Sequence, residues 1–342
     1  MRKRGIADAV GFAHRAEHMD EIVRRIDAGE GGRLRDTLLA ASGIGTAKAW
    51  RVAIAPHDDY AYAGFMYPLA LANIKARTVF IFGVAHKART FGIENRLVFD
   101  SFTHWHGPYG DVKASGLREA IRGELAEDSY VVHDELQAAE HSVEAKIPFL
   151  QHFNRDVEIV SILVPAMPHA RMREIAAPLA GAIAKATRKR KLRWGEDFAL
   201  VISTDAVHYG DEDWGGRNFA EYGTGAQGYR EALEHERAIL ADCLAGTLAP
   251  GRAALFSGYT VREDDWREYK WTWCGRYSVP FGLLAAWNLQ QALGAEPLDG
   301  RVLGYSTSIE APRIEVGDLG GMGVTAPANP RHWVGYAAVG YL

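Results

Sequence analysis

"VFIFGVAHKAR", residues 79–89, is the stretch of sequence that decides the fold. Its first four residues are β-branched or aromatic, and no helical spacing fits them, so the run predicts a buried strand. His86 stands just past the end of this strand, where the chain turns towards solvent. A titratable ring at that position suggests a site built from the ends of several strands, and the rest of the sequence tests this hypothesis.

Short apolar runs that end in turn or polar residues alternate with helical patterns along the chain. The alternation predicts an α/β fold with a central, largely parallel sheet flanked by helices. There is no internal repeat and no low-complexity linker, so residues 1–342 are interpreted as a single domain. The predicted strands are 50–56, 78–84, 157–165, 198–205 and 333–342, and the predicted helices are 66–76, 115–125, 135–152, 170–190, 227–246 and the stretch from Ser278 onward.

Composition and charge exclude several classes of protein. A formal net charge of -4 gives no reason to expect nucleic acid or an anionic membrane surface as a partner. No stretch approaches the roughly 18 to 20 apolar residues that span a bilayer. With only two cysteines the chain is not a disulfide scaffold, and the cytoplasm is the expected compartment. A homo-oligomer is compatible with the sequence.

Two further strands also place a histidine just beyond their carboxyl ends. His57 follows the strand 50–56, and His208 follows the strand 198–205, three residues after Asp205. In open α/β sheets the ligand crevice lies outside these strand ends. A single histidine there is more often a capping or packing residue, but three converging histidines favour a site.

Imidazole is a common ligand of divalent metal ions, and two histidines with one anionic ligand leave coordination positions open. Cys274 is the candidate anion, because it precedes the predicted helix from Ser278 and lies near Arg276, where positive potential favours a thiolate. The alternative is a small buried apolar residue, which is the interpretation of Cys243.

Two other segments have open interpretations. His141 and Glu144 lie three residues apart in the predicted helix 135–152 and so share a face, as metal or acid–base chemistry requires; His141 could equally cap the helix or support another side chain. Residues 209–228 are rich in glycine and polar residues, and they are either a mobile lid or a surface loop held by its aromatic rings.

The same segments resemble a known family, the Memo-like proteins, also labelled AmmeMemoRadiSam system protein B and related in fold to class III extradiol dioxygenases. The resemblance runs nearly from end to end and rests on motifs in the same order. APHDDYAYAG (55–64) is similar to PHAGYxYSG, FGVAHKAR (82–89) to GPSHH, HSVEAKIPFLQ (141–151) to HSLExHLPFLQ, VISTDAVHYG (201–210) to SSDxxHYG, and WCGRYSVPFGLL (273–284) to CGxxPIxxLL.

The resemblance implies a role for each matching residue. His57, His86 and Cys274 match the metal-binding trio of the family, whose third member is a glutamate in the extradiol relatives. His208 matches the acid–base histidine of those dioxygenases, and His141 matches another pocket histidine. Asp205 is expected to orient His208. The residues expected behind the ligands or along the substrate pocket are Asp58, Asp59, Tyr60 and Glu144.

The chain departs from the family pattern at two motifs. Asp58 and Asp59 replace a small Ala-Gly pair beside the first ligand and are interpreted first as partners that orient His57. The alternatives are extra metal ligands or a surface turn. Lys87 replaces the second histidine of the SHH turn. These changes suggest that the chain has a substrate of its own.

The resemblance implies a non-haem Fe(II) oxygenase that acts with O₂ on a small aromatic substrate, catechol-like or aminophenol-like. His208 would take the proton of the substrate hydroxyl and return it later. Because a thiolate ligand is softer than a carboxylate, copper or zinc are alternative ions. Two other functions stay open: a zinc-dependent hydrolase with His208 as its base, and a binding module for phosphorylated peptides, as described for animal relatives.

Overall fold

A mixed sheet runs through the computed structural model, which describes residues 2–41, 43, 48–210, 218–326 and 328–342. From one edge to the other the strands follow the order β1-β5-β6-β8-β3-β9-β2-β13-β12-β11, with β4, β7 and β10 paired at its sides. The strands are β1 (Lys3–Arg4), β2 (Val52–Ala55), β3 (Thr78–Val84), β4 (Leu97–Phe99), β5 (His104–Trp105), β6 (Val112–Ala114), β7 (Tyr130–Val132), β8 (Glu158–Val164), β9 (Phe198–Ser203), β10 (His208–Gly210), β11 (Gly246–Thr247), β12 (Asp299–Thr307) and β13 (His332–Tyr341).

Helices cover both faces of this sheet. They are α1 (Ala16–Ala28), α2 (Glu30–Ala41), α3 (Tyr60–Ala63), α4 (Met66–Leu71), α5 (Leu117–Arg122), α6 (Asp134–Ala139), α7 (Ile147–Phe153), α8 (His169–Lys189), α9 (Ala226–Ile239), α10 (Pro250–Thr260) and α11 (Ser278–Leu293). Short 3₁₀ turns occur at Ala88–Phe91, Glu127–Ser129 and Glu144–Lys146, and a π-helical turn, Leu240–Leu244, follows α9.

The apolar run of β3 is buried because both faces of the strand meet helices. Side chains alternate across a strand, so Phe80 and Phe82 point into the core formed with α8 and α11. Val79 and Ile81 point into the opposite core, formed with α1, α4 and α7. This two-sided burial explains why the sequence shows a continuous apolar run rather than an alternating pattern.

The order of the central strands brings three predicted site segments together. β8, β3, β9 and β2 are neighbours and run parallel, and β13 joins β2 antiparallel. β9 therefore lies between β3 and β2, and the carboxyl ends of all three meet at one edge of the sheet. The structure confirms the predicted α/β fold, with a largely parallel centre and antiparallel additions at the sides.

The predicted helix 135–152 is wrong. α6 ends at Ala139, Glu140 is extended with φ -101° and ψ 135°, and α7 begins only at Ile147. The side chain of Glu140 accepts hydrogen bonds from the backbone N–H groups of His141 and Ser142, which gives these groups an alternative to helical bonding. The helix is therefore interrupted beside His141.

The predicted loop 209–228 lies partly outside the described residues, which omit 211–217. Its described part ends in α9, and Phe219 lines the cavity described below. Among the described residues, no helix combines the length and the apolar character that crossing a bilayer requires.

Candidate metal centre

A cavity of about 600 Å³ opens where the carboxyl ends of β2, β3 and β9 meet. Most of the residues predicted for the site line it together with aromatic and basic side chains. The predicted residues in its wall are His57, Asp58, Asp59, His86, His141, Asp205, His208 and Cys274, and the additional ones include Asp8, Arg89, Phe219, Arg267, Tyr269, Arg276 and Thr325.

His57 is held in one tautomer by its neighbours. Ser203 Oγ has a single hydrogen, which it donates to the carbonyl oxygen of Ser142 at 2.7 Å. The lone pairs of this hydroxyl therefore accept from Lys146 Nζ at 2.9 Å and from His57 Nδ1 at 3.0 Å. His57 consequently carries its proton on Nδ1, and Nε2 presents a lone pair.

That lone pair has no hydrogen-bond partner among the described residues, although His57 is almost completely buried. Asp205 Oδ2 lies 3.2 Å from Nε2, but the two atoms do not form a hydrogen bond. Asp205 Oδ1 accepts from the backbone N–H of His57 at 2.8 Å. A buried imidazole nitrogen that lacks a donor and faces a carboxylate fits a metal ion better than it fits a packed core.

His86 is oriented by a carboxylate that the sequence analysis did not identify. Glu140 Oε1 accepts from His86 Nδ1 at 2.9 Å, and Oε2 accepts from the backbone N–H of His86 at 2.8 Å. This leaves Nε2 of His86 available as a ligand atom, as in the carboxylate–histidine pairs that support metal ions. Burial opposes the charged form of His86, but the charge and the hydrogen bond of Glu140 and those of Cys274 together outweigh burial and raise the pKa of His86 well above its usual value.

Two sets of potential ligand atoms meet at His57. His57, His86 and His141 form one set, and His57, Asp205 and Cys274 form the other; within each set all ligand atoms lie within 4.8 Å of one another. The mixture of imidazole, carboxylate and thiol suits a divalent first-row transition metal rather than magnesium or calcium. The residues present therefore fit the divalent metal ion that the sequence predicts.

Three of the histidines are neutral at ordinary pH. Burial lowers the pKa of His57 well below its usual value, lowers that of His141 to about 4, and lowers that of His208 to about 3. The positive potential of His86 acts in the same direction on each ring. Neutral imidazoles are the form that binds metals and accepts protons.

Cys274 reaches the site because its neighbour is a glycine. Gly275 N donates to Thr204 Oγ1 at 3.0 Å, and a Cβ at Gly275 would overlap that hydroxyl. The close approach sets Cys274 Sγ 2.8 Å from His208 Nε2. The expected preference for a thiolate is wrong for the metal-free protein, because burial raises the pKa of the thiol and the Arg276 guanidinium lies over the Tyr269 ring. Cys243 is buried in the core, as predicted.

Asp58 and Asp59 line the cavity, but other residues orient His57. Asp58 Oδ2 accepts from Tyr336 OH at 2.6 Å, and Asp59 Oδ2 accepts from Thr325 N at 2.5 Å. Burial raises the pKa of both carboxyls, and that of Asp59 reaches about 7. The partners of His57 are Ser203 and Asp205, neither of which the sequence pattern assigns to that role.

Tyr60 and Glu144 are placed away from the cavity. The Tyr60 hydroxyl donates to the carbonyl oxygen of Ala145 at 2.8 Å, and the ring is part of the core. Glu144 forms a buried ion pair with Arg4 and accepts from the backbone N–H of Ala7 at 2.8 Å. Because the helix is interrupted after Ala139, Glu144 anchors the N-terminal segment and does not share a face with His141.

Glu236 supports the site from behind and was missed in the sequence analysis. Its buried carboxylate accepts from the indole N–H groups of Trp271 and Trp273, each at 2.6 Å, from Tyr305 OH at 2.8 Å, and from Val207 N at 3.3 Å. These bonds fix the residues before His208 and Cys274. Glu236 lies on α9, 28 residues after His208, so no local pattern identifies it.

Comparison with known proteins gives a consistent match. A family model described as "Memo-like protein" matches residues 33–316. A MEMO1 family protein of Methanothermobacter thermautotrophicus is 30% identical over 186 residues, which are 50% of this chain and 58% of the relative. A MEMO1 family protein of Pyrobaculum aerophilum is 32% identical over 168 residues, which are 47% of this chain and 54% of the relative.

The chain thus spans a little more than half the length of these curated relatives. The names of the relatives give a family and no reaction. Since the family match extends over most of the sequence and includes the strand-end histidines and Cys274, this chain belongs to the Memo-like protein family.

Proposed function

We propose that this protein is a non-haem Fe(II)-dependent oxygenase that acts on a small hydroxylated aromatic compound, catechol-like or aminophenol-like. The observation that carries the proposal is the convergence of imidazole, carboxylate and thiol groups around His57 Nε2, a buried nitrogen without a hydrogen-bond partner. A donor set of this kind suits iron, copper or zinc. Among these three ions, iron is favoured by the relationship in fold between this family and the class III extradiol dioxygenases.

The residues that would hold the ion are His57, His86 and Cys274, the trio that the family resemblance implies. His57 belongs to both observed sets of ligand atoms, His86 to one and Cys274 to the other, and Asp205 lies close to His57. An Fe(II) ion in this set would supply the activation of dioxygen next to an electron-rich ring. Ser203 and Glu140 fix the tautomers of the two histidines, so that each turns Nε2 away from its hydrogen-bond partner.

His208 is the base that faces the reacting groups. Its match to the acid–base histidine of the extradiol relatives supports this role, and because burial lowers its pKa to about 3, the ring carries no charge at pH 7. Its Nε2 atom lies 2.8 Å from Cys274 Sγ, so the proposed proton transfer would take place beside the ligand set. Phe219 and Tyr269, whose ring centroids are 5.8 Å apart, provide aromatic surface in the same cavity.

The test is oxygen consumption by protein purified anaerobically and reloaded with Fe(II), Zn(II) or no metal. With catechol or 2-aminophenol, we expect oxygen uptake by the Fe(II) form alone. His208→Gln is expected to retain iron and to lose about 10²- to 10⁴-fold in rate, the usual contribution of a positioned acid–base group. His169→Gln, on α8 and outside the cavity, is the matched control.

Two results contradict the proposal. Ester or amide hydrolysis by the Zn(II) form, with no oxygen uptake by the Fe(II) form, would support the hydrolase. Binding of a phosphorylated peptide that survives chelation, without turnover of either ring compound, would support the binding module.

A further inference from the structure

The cavity has an acidic side and a basic side. Asp58 and Asp59 follow β2, whereas Arg89 follows β3, and these two strands flank β9 on opposite sides. Arg267 and Arg276 belong to the basic side and line the cavity as well, where Glu268 adds one carboxylate among the three arginines. Metal-ligating residues lie between the two sides, so a ligand in the cavity meets opposite charges at its two ends.

Arg276 has donors without acceptors. Its Nε and Nη1 atoms are buried and make no hydrogen bond with any described residue. Nη2 donates to the carbonyl oxygen of Arg267 at 3.0 Å, and the guanidinium carbon lies 3.3 Å from the centroid of the Tyr269 ring. Buried donors of this kind are rare in folded proteins, and for a guanidinium the matching acceptor is a carboxylate or another planar anion.

Arg89 offers a second positive charge in the same wall. Within the described chain its side chain makes no hydrogen bond and no ion pair. Arg267, by contrast, is paired with Glu94, whose oxygens lie 2.8 Å and 3.0 Å from its nitrogens. Arg89 and Arg276 are therefore the two arginines of the cavity whose charge has no carboxylate partner.

We propose that Arg276 and Arg89 form a carboxylate-binding subsite, and that the substrate is accordingly a small aromatic carboxylic acid. The position of the ring beside the metal ligands rests on the proposed function, whereas the anion site rests on the arginines alone. The two parallel N–H donors of a guanidinium match the two oxygens of a carboxylate. Phe219 and Tyr269 line the same cavity and supply aromatic surface beside the guanidinium.

A second cavity of about 530 Å³ strengthens the case for an anion at Arg276. It adjoins the first cavity, and both are lined by Cys274, Arg276 and Tyr269. An anion near this wall would be partly withdrawn from water, which strengthens its attraction to the guanidinium. The apolar residues of the second cavity include Val84, Ala85, Ala88, Ile93, Val164 and Ala166.

The test is calorimetric binding of 3-hydroxybenzoate and its uncharged counterpart 3-hydroxybenzamide to the full-length, metal-free protein. We expect the acid to bind at least about tenfold more tightly than the amide, since a paired charge in a site of low dielectric is worth at least this factor. Arg276→Gln and Arg89→Gln should each reduce that preference, and Arg276→Gln should nearly abolish it. Lys87→Gln removes an exposed charge next to His86 that lines neither cavity, and it should leave the preference unchanged.

The amide controls for folding, because its affinity should be similar in wild type and in all variants. Equal affinity of acid and amide in wild type, or an unchanged preference in Arg276→Gln, would overturn the proposal. Inorganic phosphate that binds in an Arg276-dependent way while both benzoate derivatives fail would overturn the carboxylate assignment. Binding is measured without metal or turnover, so failure of the oxygenase assay alone leaves this subsite standing.

Discussion

The Glu140→Gln substitution tests how His86 is prepared for metal binding. The carboxylate accepts four hydrogen bonds: three at Oε1, from His86 Nδ1, His141 N and Ser142 N, and one at Oε2, from His86 N. Glutamine has nearly the same shape but only one acceptor oxygen. If that oxygen takes the Oε1 position, the amide nitrogen faces the backbone N–H of His86 across 2.8 Å, donor against donor.

The magnitude follows from these four bonds. In Glu140→Gln the hydrogen bond from the backbone N–H of His86 is lost and the other three become weaker. A buried N–H group left without an acceptor lowers the free energy of unfolding by about 1–3 kcal/mol. The glutamine amide fixes the tautomer of His86 less firmly than the carboxylate does. Removal of such a supporting carboxylate typically lowers metal affinity by about 10- to 100-fold. We expect both effects in Glu140→Gln.

The stability change also depends on pH. Glu140 raises the pKa of His86 above its unfolded value, so the pair stabilises the metal-free protein fully below the usual histidine pKa and less as pH rises through the folded pKa. The pKa of Glu140 itself is lowered to about 2, so its contribution is present above its usual value of 4.5 and is lost as pH falls towards 2. The destabilisation in Glu140→Gln is therefore greatest near pH 5–6 and smaller under alkaline conditions.

The assay is competition between the protein and a chromophoric chelator for Fe(II) and Zn(II), combined with thermal unfolding of the metal-free protein from pH 5 to pH 9. Glu135→Gln, an exposed change on α6, the helix that ends just before Glu140, is the matched control and should behave as wild type. A folded Glu140→Gln protein with metal affinity within about threefold of wild type would refute the assignment of Glu140 as the residue that prepares His86.

Three further substitutions separate metal support from folding. Ser203→Ala removes the acceptor of His57 Nδ1 and should lower metal affinity about tenfold or more, measured with the same chelator; unchanged affinity would refute the tautomer argument. Glu236→Gln leaves a buried donor without an acceptor and should lower the free energy of unfolding by about 1–3 kcal/mol in urea; a stability equal to wild type would contradict this. Tyr336→Phe removes a donor to Asp58 and should cost about 1–2 kcal/mol of stability with metal affinity within threefold, whereas a large loss of affinity would show that Asp58 acts on the ion.

The strand-end residues could be predicted from the sequence because parallel strands carry their carboxyl ends to the same edge of a sheet. The apolar runs that precede His57, His86 and His208 are unambiguous, and the order β3–β9–β2 then makes the three segments neighbours. Cys274 lies in no strand, and it is a candidate because it precedes the helix that begins at Ser278 and matches the family motif, not because of any periodicity.

The supporting residues could not be predicted, for reasons that differ from case to case. Glu140 lies in a sequence with helical periodicity, and only its own hydrogen bonds to the following backbone interrupt the helix. Ser203 has the pattern of an ordinary strand residue. It fixes the tautomer of His57 only because Lys146, from another element, also donates to its hydroxyl. Nε and Nη1 of Arg276 are buried where the guanidinium packs on the Tyr269 ring, and no sequence pattern specifies this packing.

Metal content is the measurement that tests the central claim most directly. His57 belongs to both sets of potential ligand atoms, so its loss affects any ion held at the strand ends. Anaerobically purified wild type and the control His18→Ala, on α1 and outside the cavity, should each bind about one Fe(II) per chain, and a folded His57→Ala protein should bind less than about a tenth of that amount. Equal metal content in His57→Ala and wild type would contradict a metal centre at the carboxyl ends of β2, β3 and β9.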